Sequence, residues 1–159
     1  MSSIQELIEN ALKDPTLVST LNIEKIVEAS EDSNFLGKSM DTVTKNIVEI
    51  LEELEVSSEK VIEFSGKLIG YQYIDRVCDI RLGRFIRWIK RPNSKNIDNV
   101  MNYTLHRGGI LTSIDVNDSG IVLLCRNVNN RFFRMKWEDC VFFQQLSLEE
   151  KIILSLSEK

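Results

Sequence analysis

The feature that most constrains the fold is a series of β-forming runs separated by turn signals in the second half of the chain. Strands are predicted over residues 110–116, 121–126 and 131–137, because these runs are rich in β-branched and aromatic residues. The loops between them contain Asn, Asp and Gly, which tolerate the positive φ of tight hairpin turns. Gly108 and Gly109, just before the first run, are interpreted as the entry to a strand. The pattern therefore predicts an antiparallel meander.

Segments on either side of the meander extend it. Residues 84–90 are dense in β-forming residues and stop at a turn signal, Arg91-Pro92-Asn93, and residues 141–143 favour a short further strand. A capping box over 147–150 leads into a terminal helix. Four or five short strands with tight turns predict a small, partly open antiparallel barrel, and both an SH3-like and an OB-like topology fit.

The first part of the chain has helical periodicity instead. The best pattern runs from about residue 39 to 54, where Val43, Ile47, Ile50, Leu51 and Leu54 fall on one side of a helix. Shorter helices are predicted before it and over about 57–66, whereas residues 68–74 fit either a helix or a strand. The predicted fold class is α+β, with an acidic helical region over 1–66 and a basic β-barrel domain with a C-terminal helix over 67–159.

Charge is divided unevenly along the chain. Residues 1–63 carry 14 Asp and Glu against 5 Lys and Arg, a net charge of −9, whereas residues 64–159 carry 10 acidic and 15 basic residues, a net charge of +5. Asymmetry of this kind concerns the partners of a protein and not its fold. It predicts contact between oppositely charged surfaces, within one molecule, between copies, or with another protein.

The residues that would support catalysis or metal binding are sparse. Cys78, Cys125 and Cys140 are widely spaced and odd in number, which favours reduced thiols in an intracellular compartment. The single histidine, His106, has no cysteine near it in sequence, and no paired zinc ligands or phosphate-binding glycine motif is present. We therefore expect no enzyme activity, no cofactor and no metal. No apolar run is long enough to cross a membrane, and we expect no export signal.

One constellation predicts a binding surface. Basic residues alternate with aromatic ones at the start of the second half of the chain, and the predicted contact residues are Arg81, Arg84, Arg87, Trp88, Lys90 and Arg91. On a strand, Arg84, Trp88 and Lys90 would share one face and Arg87 would lie on the other. On a helix, which Gly83 disfavours, the apolar residues would share one face and the basic residues would lie opposite. Such a surface suits protein contact or self-association, which the nearly balanced charge favours. The alternative is a nucleic-acid-binding accessory protein that stacks bases on the aromatic ring.

Four short motifs occur in the second half of the chain: Gly83–Ile89 (GRFIRWI), Arg107–Leu111 (RGGIL), Arg131–Met135 (RFFRM) and Phe143–Glu150 (FQQLSLEE). Together they resemble small uncharacterised proteins of large double-stranded DNA viruses of eukaryotes. The resemblance covers about residues 67–157 and leaves out the N-terminal helices. It implies a structural role in a virus particle or its assembly, and it assigns no functional residues.

Overall fold

The computed structural model describes residues 38–92 and 103–156. The helices predicted before residue 38 lie outside the described residues. Three α-helices are described: α1 (Met40–Glu53), α2 (Ser58–Lys67) and α3 (Leu148–Leu156). The five apolar residues predicted to share one side of a helix here are all buried, four of them in α1 and Leu54 just after its last residue. None of these helices is long and apolar enough to cross a membrane.

The strands form one antiparallel sheet. In chain order they are β1 (Tyr71–Ile74), β2 (Phe85–Lys90), β3 (Gly109–Asn117), β4 (Gly120–Arg126), β5 (Phe132–Lys136) and β6 (Cys140–Gln145). Their order across the sheet is β1-β6-β2-β3-β4-β5, so β1 and β5 lie at its two edges within the described part of the chain. The predicted α+β class is thereby confirmed, with an open sheet of six strands.

The meander follows the predicted turns. Asn117 is the last residue of β3 and Gly120, with φ +118°, is the first of β4. The next turn contains Asn130 at φ +61°, a conformation that asparagine tolerates better than most residues. In that turn the side chain of Asn127 accepts hydrogen bonds from the backbone N–H groups of Asn129 and Arg131, both at 2.9 Å. Local turn chemistry thus fixes both hairpins.

Gly108 and Gly109 bring the entry of β3 close to its two neighbours. A Cβ on Gly108, whose φ is +86°, would lie 1.9 Å from the Ile86 carbonyl oxygen in β2. A Cβ on Gly109 would lie 2.4 Å from the Arg126 carbonyl oxygen in β4. Only glycine fits at such approaches, and the interpretation of the pair as a strand entry is confirmed.

Each face of the sheet is buried for part of its extent. On the first face, which we call the inner face, a cluster draws on all six strands and is formed by Ile74, Ile80, Ile86, Trp88, Leu111, Leu123, Cys125, Met135, Cys140 and Phe142. The opposite, outer face is covered only at β1, β6 and β2. There Val141, Phe143 and Ile89 pack in a second cluster with apolar residues of α1 and α2 and with Tyr103 and Leu105. No residue of β3, β4 or β5 belongs to this second cluster.

The chain divides into two compact units. Among the described residues, 38–45 and 146–156 belong to one unit, and the second unit extends from Asn46 to Gln145. In the first, Val43, Leu146, Ile153 and Leu154 form a small core. The capping box predicted at 147–150 is present in that unit: Ser147 N–H donates to the Glu150 carboxylate at 2.8 Å, and Glu150 N–H donates to the Ser147 hydroxyl at 3.1 Å. The domain boundary near residue 66 stays a prediction, and α2 lies in the same unit as the sheet.

Candidate functional site

Strand β2 carries three of the six predicted contact residues and places them on different faces. Its pairing with β6 runs from Ile86 with Gln144 to Lys90 with Cys140. Because side chains alternate along a strand, Trp88 and Lys90 point to the inner face and Arg87 to the outer face. The predicted residues therefore do not form one continuous strip.

Trp88 is a core residue. Its side chain is only 4% exposed. The indole stacks on the imidazole of His106, with ring centroids 5.5 Å apart, and lies 6.4 Å from the ring of Phe133 on β5. Strands β2 and β5 are separated by β3 and β4, so in a flat sheet they would lie roughly 14 Å apart. The close approach of the two rings shows that the sheet is bent around Trp88, and the ring is not available for a base.

Arg87 ties three parts of the chain together. Its Nε donates to the His106 carbonyl at 2.9 Å, and its Nη1 lies 3.5 Å from the Lys67 carbonyl at the end of α2. Burial lowers the pKa of the half-buried guanidinium, with Tyr71 acting in the opposite direction. A charge that satisfies backbone carbonyls stabilises the fold and has little left to offer a partner.

The other predicted residues lie at the two ends of β2. Before the strand, the backbone N–H of Arg81 donates to the Gln144 side chain at 2.7 Å, and Arg84 Nη1 donates to the Gln145 carbonyl at 3.2 Å. Lys90, the last residue of the strand, and Arg91 after it are both exposed. A backbone carbonyl thus holds the Arg84 side chain, whereas the side chains of Arg81, Lys90 and Arg91 are exposed at the surface.

A different basic and aromatic group lies on the outer face of β4 and β5. Strand pairing places Arg126 opposite Phe132, Leu124 opposite Arg134, and Val122 opposite Lys136. Directly opposed residues project to the same face of a sheet. We call the surface formed by Arg126, Phe132, Arg134 and Lys136 the β4–β5 face.

The cations of the β4–β5 face have no anionic partner in the described part of the chain. Arg126, Arg134 and Lys136 are exposed, and within residues 38–92 and 103–156 their side chains form no ion pair or hydrogen bond. Phe132 is 60% exposed beside them. The exposed Arg131, in the turn before β5, adds a further charge. On the same outer face, Asp115 lies across Val122 from Lys136, roughly 10 Å away.

The sequence contained a signal for this surface. Residues 131–137 were predicted as a strand, and basic residues occur there at alternate positions, Arg134 and Lys136, in register with Phe132. Side chains spaced two residues apart on a strand project from the same face, so these three residues are expected on one face of the sheet. The 84–91 run has a higher density of charge, but density alone does not reveal which side chains are already bound.

Two of the three cysteines are held in an unreactive form, whereas Cys78 is exposed. Cys125 in β4 and Cys140 in β6 are buried. Burial raises the pKa of the Cys125 thiol to about 12 and that of Cys140 to about 11, so both remain thiols at neutral pH. Burial, and then the charge of Lys90, lowers the pKa of His106. No hydrogen bond in the described part joins His106 to a cysteine, and no group of three or more candidate ligands there could hold a metal.

Comparison of the chain with protein-family models, with curated proteins and with solved structures finds no match in any of the three.

Proposed function

We propose that this protein is a non-catalytic interaction module that binds an acidic partner protein through the β4–β5 face. The observation that carries the proposal is the set of three exposed cations around Phe132 with no anion to neutralise them in the described residues. A patch of one charge sign steers an oppositely charged partner and raises its association rate. An exposed aromatic ring within the patch supplies the apolar anchor on which binding energy concentrates.

Two finer features belong to the same proposal. We describe the bent sheet as a small, partly open barrel of SH3-like or OB-like kind, which the approach of Trp88 to Phe133 supports. We also propose that the module works in a virus particle or its assembly, within an infected cell. The resemblance of residues 67–157 to proteins of large DNA viruses supports that setting. Lys90 and Arg91 remain candidates for secondary contacts.

A second function is favoured by one specific observation. Phe132 is exposed and flanked by arginines on an open sheet, and an aromatic ring among cations is the arrangement that stacks and neutralises single-stranded nucleic acid. On this alternative the same surface would bind an oligonucleotide, with an affinity that falls steeply as salt increases.

Fluorescence anisotropy with two labelled probes, a short oligoglutamate and an oligothymidylate, tests both functions. We expect the wild-type protein to bind oligoglutamate more tightly than oligothymidylate at physiological salt. The double variant Arg134→Glu, Lys136→Glu should lose oligoglutamate binding. The matched control is the double variant Lys38→Glu, Lys45→Glu, which makes the same change in net charge. Both lysines belong to the other unit and form no ion pair in the described part of the chain. This control should bind oligoglutamate as the wild type does.

Two results would overturn the proposal. If the Arg134, Lys136 variant binds oligoglutamate as well as the wild type, the β4–β5 face is not the contact surface. If oligothymidylate binds more tightly than oligoglutamate and the same variant abolishes that binding, the protein is a nucleic-acid-binding protein instead.

A further inference from the structure

Strand β5 is an edge strand, and the phase of its hydrogen bonds shows which backbone groups point outward. Asn127 N–H donates to the Arg131 carbonyl at 2.9 Å. In an antiparallel ladder, hydrogen-bonded pairs recur at every second residue, so the next such pairs are Cys125 with Phe133 and Leu123 with Met135. The residues between them, Phe132 and Arg134, must therefore direct their N–H and C=O groups away from β4.

A separate contact supports this phase. The Thr112 hydroxyl donates to the Leu124 carbonyl at 3.0 Å, so the Leu124 carbonyl points toward β3. Leu124 is the β4 partner of Arg134. Because Leu124 directs its carbonyl toward β3, this pair lies between hydrogen-bonded pairs in the β4–β5 ladder. In the described part of the chain β4 is the only strand that pairs with β5, so these outward groups have no strand partner there.

The side chains of β5 differ sharply between its two faces. On the outer face lie Phe132, Arg134 and Lys136. On the inner face lie Met135, which is buried, and Phe133, which is 43% exposed at the rim of the core. A strand added beside β5 would place its own side chains in the same alternation, opposite cations on one face and opposite an incompletely covered ring on the other.

We propose that the acidic partner binds as an extended segment that adds to the edge of β5 as an antiparallel seventh strand, with acidic and apolar residues alternating along it. This inference rests on the proposed function and specifies its partner. Acidic residues of the segment would lie opposite Arg134 and Lys136 on the outer face. Apolar residues between them would cover Phe133 and extend the inner core. Recognition would combine backbone hydrogen bonds with alternating side-chain contacts, as in other cases of strand addition.

A second copy of this chain is a poorer occupant. If two β5 strands paired about Arg134, each Arg134 would oppose the other, and like charges directly opposite each other are destabilising. The other edge strand of the described sheet, β1, has the sequence Tyr-Gln-Tyr-Ile and carries no acidic residue. Neither described edge complements the cations of β5, and an acidic segment from another protein is the occupant that we propose.

The test uses a labelled synthetic peptide in which glutamate and valine alternate, and two backbone-methylated versions of it. In the proposed pairing the N–H groups of the glutamates bond to β5, and those of the valines point away. N-methylation of the glutamates should therefore reduce affinity at least tenfold, whereas N-methylation of the valines, with equal bulk and charge, should leave it within about twofold. A peptide of the same composition with its glutamates in one block should bind weakly.

Protein variants complete the test. Arg134→Glu should weaken binding of the alternating peptide about fivefold to tenfold, because one cross-strand pair changes from attractive to repulsive. Lys45→Glu, the same charge change on a lysine of α1, should have no effect. The intact chain is used throughout, and circular dichroism of each variant checks its folding.

Three outcomes would overturn strand addition. If the two methylated peptides bind equally, the contact is made by side chains alone; the proposed function then survives and this inference fails. If oligoglutamate binds but the alternating peptide does not, the partner is not an extended strand of this pattern. If no acidic probe binds, both proposals fail, and the cations of β5 serve only to protect its edge from unwanted pairing.

Discussion

Arg87 and Arg134 are both arginines on strands of the same sheet, and we expect their replacement by methionine to have opposite consequences. Methionine keeps most of the aliphatic length of the side chain and removes the guanidinium. At Arg87 this deletes the donor to the His106 carbonyl at 2.9 Å. At Arg134 it deletes a group without a side-chain partner in the described residues.

The expected loss of stability follows from that single bond. A hydrogen bond from a charged donor contributes about 1.5–3 kcal/mol, and the lower end applies here because Arg87 is only half-buried and water can reach the vacated carbonyl. The second contact, to the Lys67 carbonyl at 3.5 Å, is too long to add much. We therefore expect Arg87→Met to lower the free energy of unfolding by about 1.5 kcal/mol and the midpoint of thermal unfolding by about 3–6 °C. Arg134→Met should stay within about 0.5 kcal/mol of the wild type.

Urea unfolding followed by tryptophan fluorescence measures this difference. Both tryptophans, Trp88 and Trp137, pack with the inner-face core, so their emission reports loss of the sheet. The same two proteins are then tested with the alternating glutamate–valine peptide, which Arg134→Met should weaken and Arg87→Met should not. Equal loss of stability in the two variants, or a loss below about 0.5 kcal/mol for Arg87→Met, would refute the assignment of Arg87 to the fold.

Two further predictions concern the core and its strand entry. Gly108→Ala should destabilise the protein by more than about 2 kcal/mol in urea unfolding, since it adds a positive-φ penalty to a Cβ 1.9 Å from the Ile86 carbonyl oxygen. The control Gly66→Ala, in α2 with open space around the added Cβ, should stabilise by about 0.5–1 kcal/mol, and a similar loss for both would contradict this account. The second prediction is that stability declines above about pH 9, because the unfolded Cys125 thiol ionises near 9.0 while the folded one, with a pKa of about 12, keeps its proton. The decline contributed by this thiol is at most about 1.4 kcal/mol per pH unit, and Cys125→Ala in reducing buffer should show a shallower decline. Parallel stability profiles for the two proteins would rule out that contribution.

Local patterns in the sequence were sufficient to predict the meander. The turns after Asn117 and around Asn130 have the residues that positive φ requires, and alternation placed Trp88 and Arg87 on opposite faces of β2. Strand β1 was left undecided because its four residues are too few to establish a period. Its identity depends on pairing with β6, about seventy residues later in the chain, and such distant pairing leaves no local signature.

The contact residues were harder to predict, for a related reason. A charged residue on a strand shows the same local pattern whether or not its charge is already satisfied. Arg87 is bound because the carbonyls of Lys67 and His106 come within its reach, and those residues lie 20 and 19 positions away. Trp88 is buried because the sheet bends far enough to bring Phe133 from β5 next to it. A high density of charge in a sequence therefore does not by itself predict a binding surface, because tertiary contacts within the fold occupy some of those side chains.

The cations of β5 attract an acidic segment and repel a second β5 strand, and both effects come from the interaction of charges directly opposite each other on neighbouring strands. Across an antiparallel pair, an opposite charge contributes about 0.2–1 kcal/mol and a like charge costs a similar amount. For the single position opposite Arg134, an acidic segment is therefore favoured over a second β5 strand by about 0.4–2 kcal/mol, a factor of roughly 2 to 30 in affinity. Such a factor is modest, so charge at one position cannot keep copies of this protein apart at high concentration.

In the antiparallel pairing of two β5 strands about Arg134, Lys136 of one strand would also face Phe132 of the other. The outward backbone groups of the two strands would then hydrogen-bond to each other. A cation opposite an aromatic ring is tolerated in that geometry, whereas a glutamate there would pair with Lys136 directly. Discrimination thus accumulates along the strand, and it requires a partner whose acidic residues recur with the same period of two.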